Sequence, residues 1–195
     1  MQKKVVVLID GGFLRVRARI AKKHYNPTFI EKFALGCKEA DEDILRILYY
    51  DCSPYSGTVH LPVSGNPYTF AASGQWLDDL ASLDLFAVRR GVLKFRGYKP
   101  KRTPVSHGQS LSDADFKPDF EQKGVDMRIG LDIAAYSTGR LADRILLVSN
   151  DTDCVPAMKF GRKSGLQIVL AKVPNFKPAH ELIAHADFKR SVSWP

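Results

Sequence analysis

The feature that most constrains the fold is the segment at residues 145–153, which reads ILLVSNDTD. Four apolar residues followed at once by polar, turn-forming residues are typical of a strand that is buried on both faces of a sheet. Asp151 and Asp153 then lie just past the carboxyl end of that strand. Ligands of open parallel α/β sheets bind at this edge. The two aspartates are therefore either turn and cap residues or ligands of a metal ion.

A second apolar segment, KVVVLID at residues 4–10, ends in the same way, with Asp10 followed by two glycines that permit a tight turn. Apolar runs alternate with helical patterns along the chain, which predicts an α/β fold with a mostly parallel sheet of five strands flanked by helices. The predicted strands lie at residues 4–10, 43–52, 85–95, 144–149 and 166–173. The predicted helices lie at residues 13–23, 27–37, 73–83, 126–138, 153–162 and 178–185.

The length of the chain, 195 residues, suits a single domain over residues 1–195. Residues 53–69 are rich in Ser, Pro and Gly and are predicted to form a loop. Residues 96–122 are polar and contain prolines, and they are predicted to form a long basic loop. Loops of that length are usually functional or disordered, so we expect residues 96–122 to be poorly ordered without a partner.

Basic residues are unevenly distributed in this chain, which carries a formal net charge of +8. Between residues 85 and 112 there are seven basic residues and no acidic residue, with two aromatic residues interleaved. Such a run is either a solvated surface or a surface that binds the phosphates of RNA, with an aromatic ring stacking on a base. The predicted RNA-binding residues are Arg89, Arg90, Lys94, Arg96, Tyr98, Lys99, Lys101 and Arg102.

Four aspartates stand at the ends of predicted strands or at helix starts: Asp10, Asp126, Asp151 and Asp153. Singly, each has a structural interpretation, because Asp is common in turns and at helix N-caps. Together at one sheet edge they would repel one another unless a cation compensated, and Mg²⁺ prefers such oxygen ligands. A metal ion there can activate water and stabilise the charge that develops on a phosphodiester. Accessory candidates are Asp132, Ser149 and Lys123.

Three blocks of the chain carry a resemblance to a known family: VVVLIDGG at 5–12, KGVDMRIGLDIAAY at 123–136 and LLVSNDTDCVPAM at 147–158. In their order, spacing and flanking hydrophobic residues they resemble the NYN domain, in its LabA-like bacterial branch, which belongs to the PIN-like nuclease superfamily. The segment LIAHADFKRSV at 182–192 also resembles the closing part of such domains. Residues 53–122 match only loosely.

The resemblance implies a Rossmann-like sheet with strand order 3-2-1-4-5, a Mg²⁺ or Mn²⁺ site and ribonuclease activity. It places Asp10 as the acid of the first strand, Asp126 as the acid of the helix, and Asp151 and Asp153 as the pair after the fourth strand. Asp132 matches a further recurring acid. One departure is that Phe13 stands where many relatives have Asn, which removes an amide that orients substrate or metal.

The sequence therefore predicts a Mg²⁺- or Mn²⁺-dependent endoribonuclease, with RNA as its partner. The main alternative is a regulatory module that binds RNA or a protein without cleaving it, and cleavage of DNA also stays open. Three cysteines without CxxC spacing favour a reduced, cytoplasmic protein. No apolar run approaches the length of a membrane span. The oligomeric state is left open, a homo-oligomer included.

Overall fold

The structure is a computed structural model that describes residues 2–105, 108 and 110–195. Its main sheet has seven strands in the order β6-β5-β2-β1-β7-β8-β9, and β3 and β4 form a separate hairpin. The strands of the main sheet are β1 (Lys3–Asp10), β2 (Glu42–Cys52), β5 (Phe86–Pro100), β6 (Phe116–Lys123), β7 (Arg144–Val148), β8 (Gln167–Lys172) and β9 (Phe188–Ser191). The helices are α1 (Gly11–Ile20), α2 (Pro27–Leu35), α3 (Gln75–Ala81), α4 (Val125–Thr138), α5 (Val155–Lys163) and α6 (His180–Ala184).

The α/β class is confirmed, whereas the predicted number of five strands is wrong. The five predicted strands form the centre of the sheet as β5-β2-β1-β7-β8 and pair in parallel. Two further strands extend it. β9 pairs in parallel with β8 from a part of the chain for which no strand is predicted, and β6 pairs antiparallel with β5. Their residues are all exposed or half-buried, and neither strand has the apolar run that identifies the central strands.

Helices cover both faces of the sheet, which explains why β1, β7 and β8 contain continuous runs of buried apolar residues. On one face, Leu14 of α1 and Phe33 of α2 join a core that includes Val7. On the other face, Ile129 of α4 and Met158 of α5 pack over the alternate residues of the same strands. All five residues of β7 are buried, as expected for a central strand covered on both faces. No helix in the described ranges is both long and apolar enough to cross a membrane.

Two predicted loops are largely regular structure. Residues 53–69 contain β3 (Ser56–His60) and the start of β4 (Pro67–Ala71). In the predicted loop at 96–122, β5 continues to Pro100 and β6 begins at Phe116, so the two strands form an antiparallel ribbon. Rings of Tyr55, Phe70, Phe95 and Phe120 pack together between this ribbon and the hairpin, with centroids 5.4 to 6.2 Å apart. Residues 106, 107 and 109 of that predicted loop lie outside the described residues.

Candidate functional site

An open cleft of about 560 Å³ lies at the carboxyl ends of β1 and β7, where α1 and α4 begin. Three of the four predicted catalytic aspartates line it: Asp10, Asp126 and Asp151. They come from three separate parts of the chain and meet at the sheet edge where parallel α/β sheets bind ligands. We call this the acidic cleft. Asp153 is exposed and is not among the residues that line the cleft.

Asp10 is held in place by two hydrogen bonds. It is the last residue of β1 and the N-cap of α1, and its Oδ1 accepts a hydrogen bond from the backbone N–H of Phe13 at 3.0 Å. Its Oδ2 accepts one from the hydroxyl of Ser149 at 3.2 Å. The next residue, Gly11, has no room for a side chain, since a Cβ there would lie 2.4 Å from the ring of Tyr49. The tight passage from β1 into α1 therefore fixes the position of the Asp10 carboxylate.

Asp151 is fixed by a similar arrangement after β7. Its backbone N–H donates to the Ser149 hydroxyl oxygen at 3.1 Å, and its Oδ1 accepts from the backbone N–H of Asp153 at 2.9 Å. It thereby caps the short 3₁₀ turn Thr152–Cys154 that precedes α5. Ser149 is 1% exposed and links Asp10 to Asp151 through its hydroxyl group. The serine therefore fixes the positions of Asp10 and Asp151 relative to each other.

Asp126 reaches the cleft from the first turn of α4. The N-cap of this helix is Gly124, whose φ of 78° is in the left-handed region that favours glycine. Asp126 is the second residue of the helix, so it is not the N-cap residue, and the helix has no side-chain cap. Its side chain is exposed to solvent. Of the three aspartates, Asp126 has the smallest structural role.

The electrostatics of the cleft disfavour negative charge on Asp10. Burial raises the pKa of Asp10 above its ordinary value, and the carboxylates of Asp126 and Asp151 raise it further, although the hydrogen bonds from Phe13 and Ser149 oppose this. The pKa of Asp126 is also raised, by desolvation and then by the carboxylate of Asp151. None of the three forms an ion pair with a described Lys or Arg side chain within 4.0 Å. The cleft thus concentrates acidic groups without a protein cation.

A thiol borders this group of acids. Burial, followed by the carboxylates of Asp151, Asp10 and Asp126, raises the pKa of Cys154 to about 12. The thiol is therefore neutral at physiological pH and is not suited to act as a nucleophile.

The spacing of the cleft acids is wider than that of a closed metal cage. Among the described residues, only Glu39, Asp41 and Glu42 bring three ligand atoms within 4.8 Å of one another, and these lie at the opposite edge of the sheet. The chemistry of the cleft nonetheless fits Mg²⁺ or Mn²⁺, since Mg²⁺ typically takes one or two carboxylates and keeps several waters. Residues with raised pKa values and no protein cation nearby are the groups that a divalent ion would compensate.

Two accessory candidates lie apart from the acids. The Asp132 carboxylate accepts hydrogen bonds from the Tyr50 hydroxyl at 2.9 Å and from Arg89 Nε at 3.1 Å. Its place on α4 therefore serves to join that helix to β2 and β5. Lys123, at the end of β6, forms an ion pair with Glu121. Neither Asp132 nor Lys123 lines the acidic cleft.

The basic run at residues 85–112 is partly neutralised by acids that are distant in sequence. Ion pairs join Arg89 to Asp132, Arg90 to Asp78, Arg96 to Glu121 and Lys99 to Asp119. The remaining three, Lys94, Lys101 and Arg102, form no ion pair with a described acid within 4.0 Å. Tyr98 is half-buried and packs edge-on against Phe95, with ring centroids 5.2 Å apart. Fewer of these residues are therefore available to RNA than the sequence indicates.

Sequence reasoning missed several residues of the cleft: Gly12, Val16, Gln122, Asn150 and Thr152. Gln122 was missed because β6 was predicted as loop, although the charged residues at 117, 119 and 121 alternate with Phe116, Pro118 and Phe120, which is a weak signal of a strand. Asn150 Oδ1 accepts a hydrogen bond from the backbone N–H of Ala179 at 2.8 Å, which ties the cleft to the chain before α6.

Comparison with known proteins adds a likeness of fold. No family model and no curated protein matches this chain. Among solved structures, the chain is similar to the crystal structure of VPA0982, a protein of unknown function from Vibrio parahaemolyticus RIMD 2210633. The identity is 17%, the TM-score is 0.56, and the likeness covers 97% of this chain and 93% of the other. At this identity the comparison shows a shared fold and gives no information about the activity of this chain.

Proposed function

We propose that this protein is a Mg²⁺- or Mn²⁺-dependent endoribonuclease with a Rossmann-like, PIN-like fold of the NYN type, in its LabA-like branch. The observation that carries the proposal is the convergence of Asp10, Asp126 and Asp151 in one open cleft. Two of these acids, Asp10 and Asp126, have pKa values raised by burial and then by neighbouring carboxylates, and a resident divalent cation would relieve that repulsion.

Asp10, Asp126 and Asp151 would hold the metal ion, with Asp153, which is exposed outside the cleft, as an outer acid. A divalent ion bound there lowers the pKa of a water molecule and stabilises charge on a phosphodiester. The protein groups supply position: the backbone N–H of Phe13 and the Ser149 hydroxyl hold Asp10, and Ser149 also holds Asp151. Asp126 is exposed at the cleft, where it would meet the bound RNA.

RNA is the proposed substrate because the chain is basic overall and three cations of the basic run have no ion pair among the described residues. Lys94, Lys101 and Arg102 are the proposed phosphate contacts. Weaker phosphate contacts are expected at Arg89, Arg90, Arg96 and Lys99, because RNA must displace the Asp or Glu that pairs with each of them. The cytoplasm is the proposed location, where the buried free thiols of Cys37, Cys52 and Cys154 stay reduced.

RNA cleavage with added Mn²⁺ or Mg²⁺, with and without chelator, tests this function. Asp10→Asn and Asp151→Asn are suitable variants, since Asn also caps helices and so preserves the local turn. Asp43→Asn is the matched control, because Asp43 is exposed on β2 near the opposite edge of the sheet. We expect metal-dependent cleavage that both site variants lose and the control retains.

Equal cleavage by the wild type and both site variants would contradict the site. Binding of RNA without metal-dependent cleavage would instead favour a regulatory module. Single-stranded RNA and single-stranded DNA of the same sequence should be compared in the same assay, because preferential cleavage of DNA would contradict the proposed substrate.

A further inference from the structure

A second cavity, of about 280 Å³, lies beside the acidic cleft. It is bounded by α1, the end of β2, the β3–β4 hairpin, the start of α3 and one face of β6. Its volume is near the lower end of the range for sites that bind small molecules, so it suits one small ligand. We call it the aromatic cavity, because four of its lining residues carry aromatic rings: Tyr55, Phe70, Trp76 and Phe120.

Gln122 forms the boundary between the aromatic cavity and the acidic cleft, since it lines both. Its amide group lies close to the carboxylate of Asp10. A Cβ added to Gly12 would be 3.4 Å from Asp10 Oδ1 and 3.5 Å from Gln122 Oε1. Phe120 precedes Gln122 by two residues on β6, and side chains two residues apart in a strand point to the same face. A chain that passes Asp10 can therefore place a side group on Phe120.

The rings of the cavity wall hold one another in place and keep part of their surface accessible. The ring centroids of Tyr55, Phe70 and Phe120 lie 5.4 to 5.7 Å apart. These three residues are half-buried and belong to neither of the cores on the two faces of the sheet. Accessible apolar surface in a concave site is typical of ligand binding. Rings fixed in this way are suited to stack on a planar ligand, as aromatic side chains do with the unpaired bases of RNA.

The polar groups of the cavity do not select one kind of base. Arg15 Nη2 donates to both oxygens of Asp51, at 2.8 and 2.7 Å, and the Arg15 guanidinium lies 6.0 Å from the ring centroid of Trp76. Because Arg15 already lies over Trp76, we assign stacking to Phe120. Gln122 carries donors and an acceptor on one amide group, so it can pair with the edge of any base. The cavity therefore distinguishes a nucleotide that has a base from one that has none.

We propose that the aromatic cavity binds one unpaired nucleobase of the RNA strand whose backbone lies in the acidic cleft. The base stacks on Phe120 and forms a hydrogen bond with Gln122, and the adjoining phosphate lies at the proposed metal site. The inference rests on the proposed function for the identity of the strand. It adds a requirement on the substrate: a base at a fixed position relative to the broken bond has to leave its stack, which a base-paired duplex opposes.

Calorimetric titration in excess chelator tests the site without catalysis. The ligands are the four nucleoside monophosphates of RNA and ribose 5-phosphate, which has the same sugar and phosphate but no base. We expect each nucleotide to bind the wild type at least about tenfold more tightly than ribose 5-phosphate, because only the nucleotides can stack on an aromatic ring. The four nucleotides should agree within a factor of about five, since every base has a face that stacks. Equal binding of the nucleotides and ribose 5-phosphate would overturn the inference.

Phe120→Leu removes the ring on which the base stacks. It should reduce the advantage of the nucleotides over ribose 5-phosphate to about twofold or less. Phe95→Leu is the matched control, because Phe95 pairs directly with Phe120 across the β5–β6 ribbon, with ring centroids 5.7 Å apart, and does not line the aromatic cavity. Both variants remove a ring from the same cluster, so their Tm values should fall alike. Only Phe120→Leu should lose the advantage, and an equal loss in both variants would overturn the site.

Ala72→Phe is the second variant, for the case that Phe120→Leu does not fold. Ala72 is exposed and lines the aromatic cavity, so phenylalanine there fills the space without removing a ring. We expect this variant to bind nucleotides no more tightly than ribose 5-phosphate. Ala71→Phe adds the same ring at an exposed position of β4 that does not line the cavity, and it should keep the advantage. An unchanged advantage in Ala72→Phe would contradict binding in this cavity.

Cleavage of RNA locates the bound base relative to the broken bond. The substrate is an unstructured RNA of mixed sequence that carries one abasic residue, placed at each position in turn. With Mn²⁺ present, we expect the wild type to cleave one bond, at a constant distance from the abasic residue, about tenfold more slowly. In Phe120→Leu the missing base should make little difference at that bond. If no bond at a constant distance were affected in the wild type, the base of the cleaved strand would not occupy the cavity.

The outcomes separate this inference from the proposed activity. Asp151→Asn should lose cleavage and keep the advantage of the nucleotides, since Asp151 does not line the aromatic cavity. If the wild type cleaves RNA but binds nucleotides and ribose 5-phosphate equally, the base site is wrong and the nuclease stands. If the advantage is present and depends on Phe120, but no metal-dependent cleavage occurs, the base site is supported and the proposed activity is wrong.

Discussion

Two groups of carboxylates lie at opposite edges of the same sheet, and they differ in whether arginine side chains pair with them. At the amino ends of the strands, Glu39, Asp41 and Glu42 face Arg144 and Arg190. At the carboxyl ends, Asp10, Asp126 and Asp151 line a cleft and form no ion pair with a described side chain. The negative charge of the first group is balanced by these two arginines. The second group has no ion-pairing partner among the described Lys and Arg side chains.

The contrast shows that burial alone does not decide the protonation of a carboxyl group. Glu42 is 1% exposed, and burial raises its pKa, yet hydrogen bonds from Arg190, the backbone of Glu39 and Arg144 lower it to about 2. Asp10 is also largely enclosed, and its pKa is raised by burial and then by the carboxylates of Asp126 and Asp151, because no described arginine pairs with it to offset the burial. Pairing with arginine is typical of a structural site, whereas uncompensated acids in an open cleft are candidates for function.

The largest expected effect is on catalysis at the carboxyl edge. Asp126→Asn should reduce kcat for RNA cleavage by about 100-fold, since a metal ion supplies several kcal/mol of transition-state stabilisation and each 1.36 kcal/mol is tenfold in rate. Single-turnover cleavage at saturating Mn²⁺ measures the chemical step. Glu39→Gln, at the amino edge, is the control and should retain full activity. Loss of activity in both variants to the same degree would break the functional contrast between the two edges.

The next effect is on stability at the amino edge. Glu42→Gln removes a carboxylate that accepts from Arg144 Nη1 at 2.8 Å and from two nitrogens of Arg190 at 2.7 Å. Breaking a buried ion pair of this kind costs about 3–5 kcal/mol. We expect about 3 kcal/mol, because Glu39 stays 3.2 Å from Arg190, and a fall in Tm of roughly 6–12 °C. Chemical denaturation gives the free energy, and a loss below about 1 kcal/mol would contradict a structural role for the pair.

The free energy of unfolding should depend on pH through the titration of Glu42. Because the pKa of Glu42 is lowered from its ordinary value of 4.5 to about 2, its ion pairs stabilise the folded state fully above pH 4.5. That contribution is lost as the pH falls from 4.5 towards 2. Glu42→Gln should therefore show a shallower loss of stability over this range than the wild type. Parallel curves for the two proteins would show that Glu42 is not the group that titrates.

The acidic residues at the carboxyl edge of the sheet can be predicted from the sequence far better than the ion pairs at the amino edge. Asp10 and Asp151 directly follow apolar strands, so their convergence follows from the topology of a parallel sheet. Glu42 gives no such signal, because its partners Arg144 and Arg190 are more than 100 residues away along the chain. Only the tertiary structure brings them together.

The sequence also cannot show which of two neighbouring acids points into the cleft, because that depends on local geometry. Asp151 and Asp153 are two residues apart, and only the 3₁₀ turn that begins after Asp151 directs one into the cleft and leaves the other outside. The cavity lined by Tyr55, Phe70 and Phe120 was not predictable for a related reason. Tyr55 directly precedes β3, Phe70 lies in β4 and Phe120 lies in β6, and the residues of these strands are exposed or half-buried, so their sequences resemble loops.

The smallest effect concerns the stability of the metal-free protein. Asp126→Asn removes a carboxylate whose pKa is raised above its ordinary value of 3.8, so its ionisation opposes folding as the pH rises above 3.8 and does so fully above the raised value. Because Asp126 is exposed and the first turn of α4 attracts negative charge, the gain at pH 7 should be only a few tenths of a kcal/mol. It should vanish below pH 3.8, where the carboxyl group is neutral in both states.

Addition of Mg²⁺ should reverse this order of stability. An ion that binds only the folded state stabilises it by about 2.7 kcal/mol at one hundred times its Kd. The wild type should therefore gain in Tm on titration with Mg²⁺, and Asp126→Asn should gain much less. If Mg²⁺ shifted both proteins equally, the ion would bind elsewhere. If the metal-free variant were clearly less stable than the wild type, Asp126 would have a structural role, and the contrast between the two edges of the sheet would rest on Asp10 and Asp151 alone.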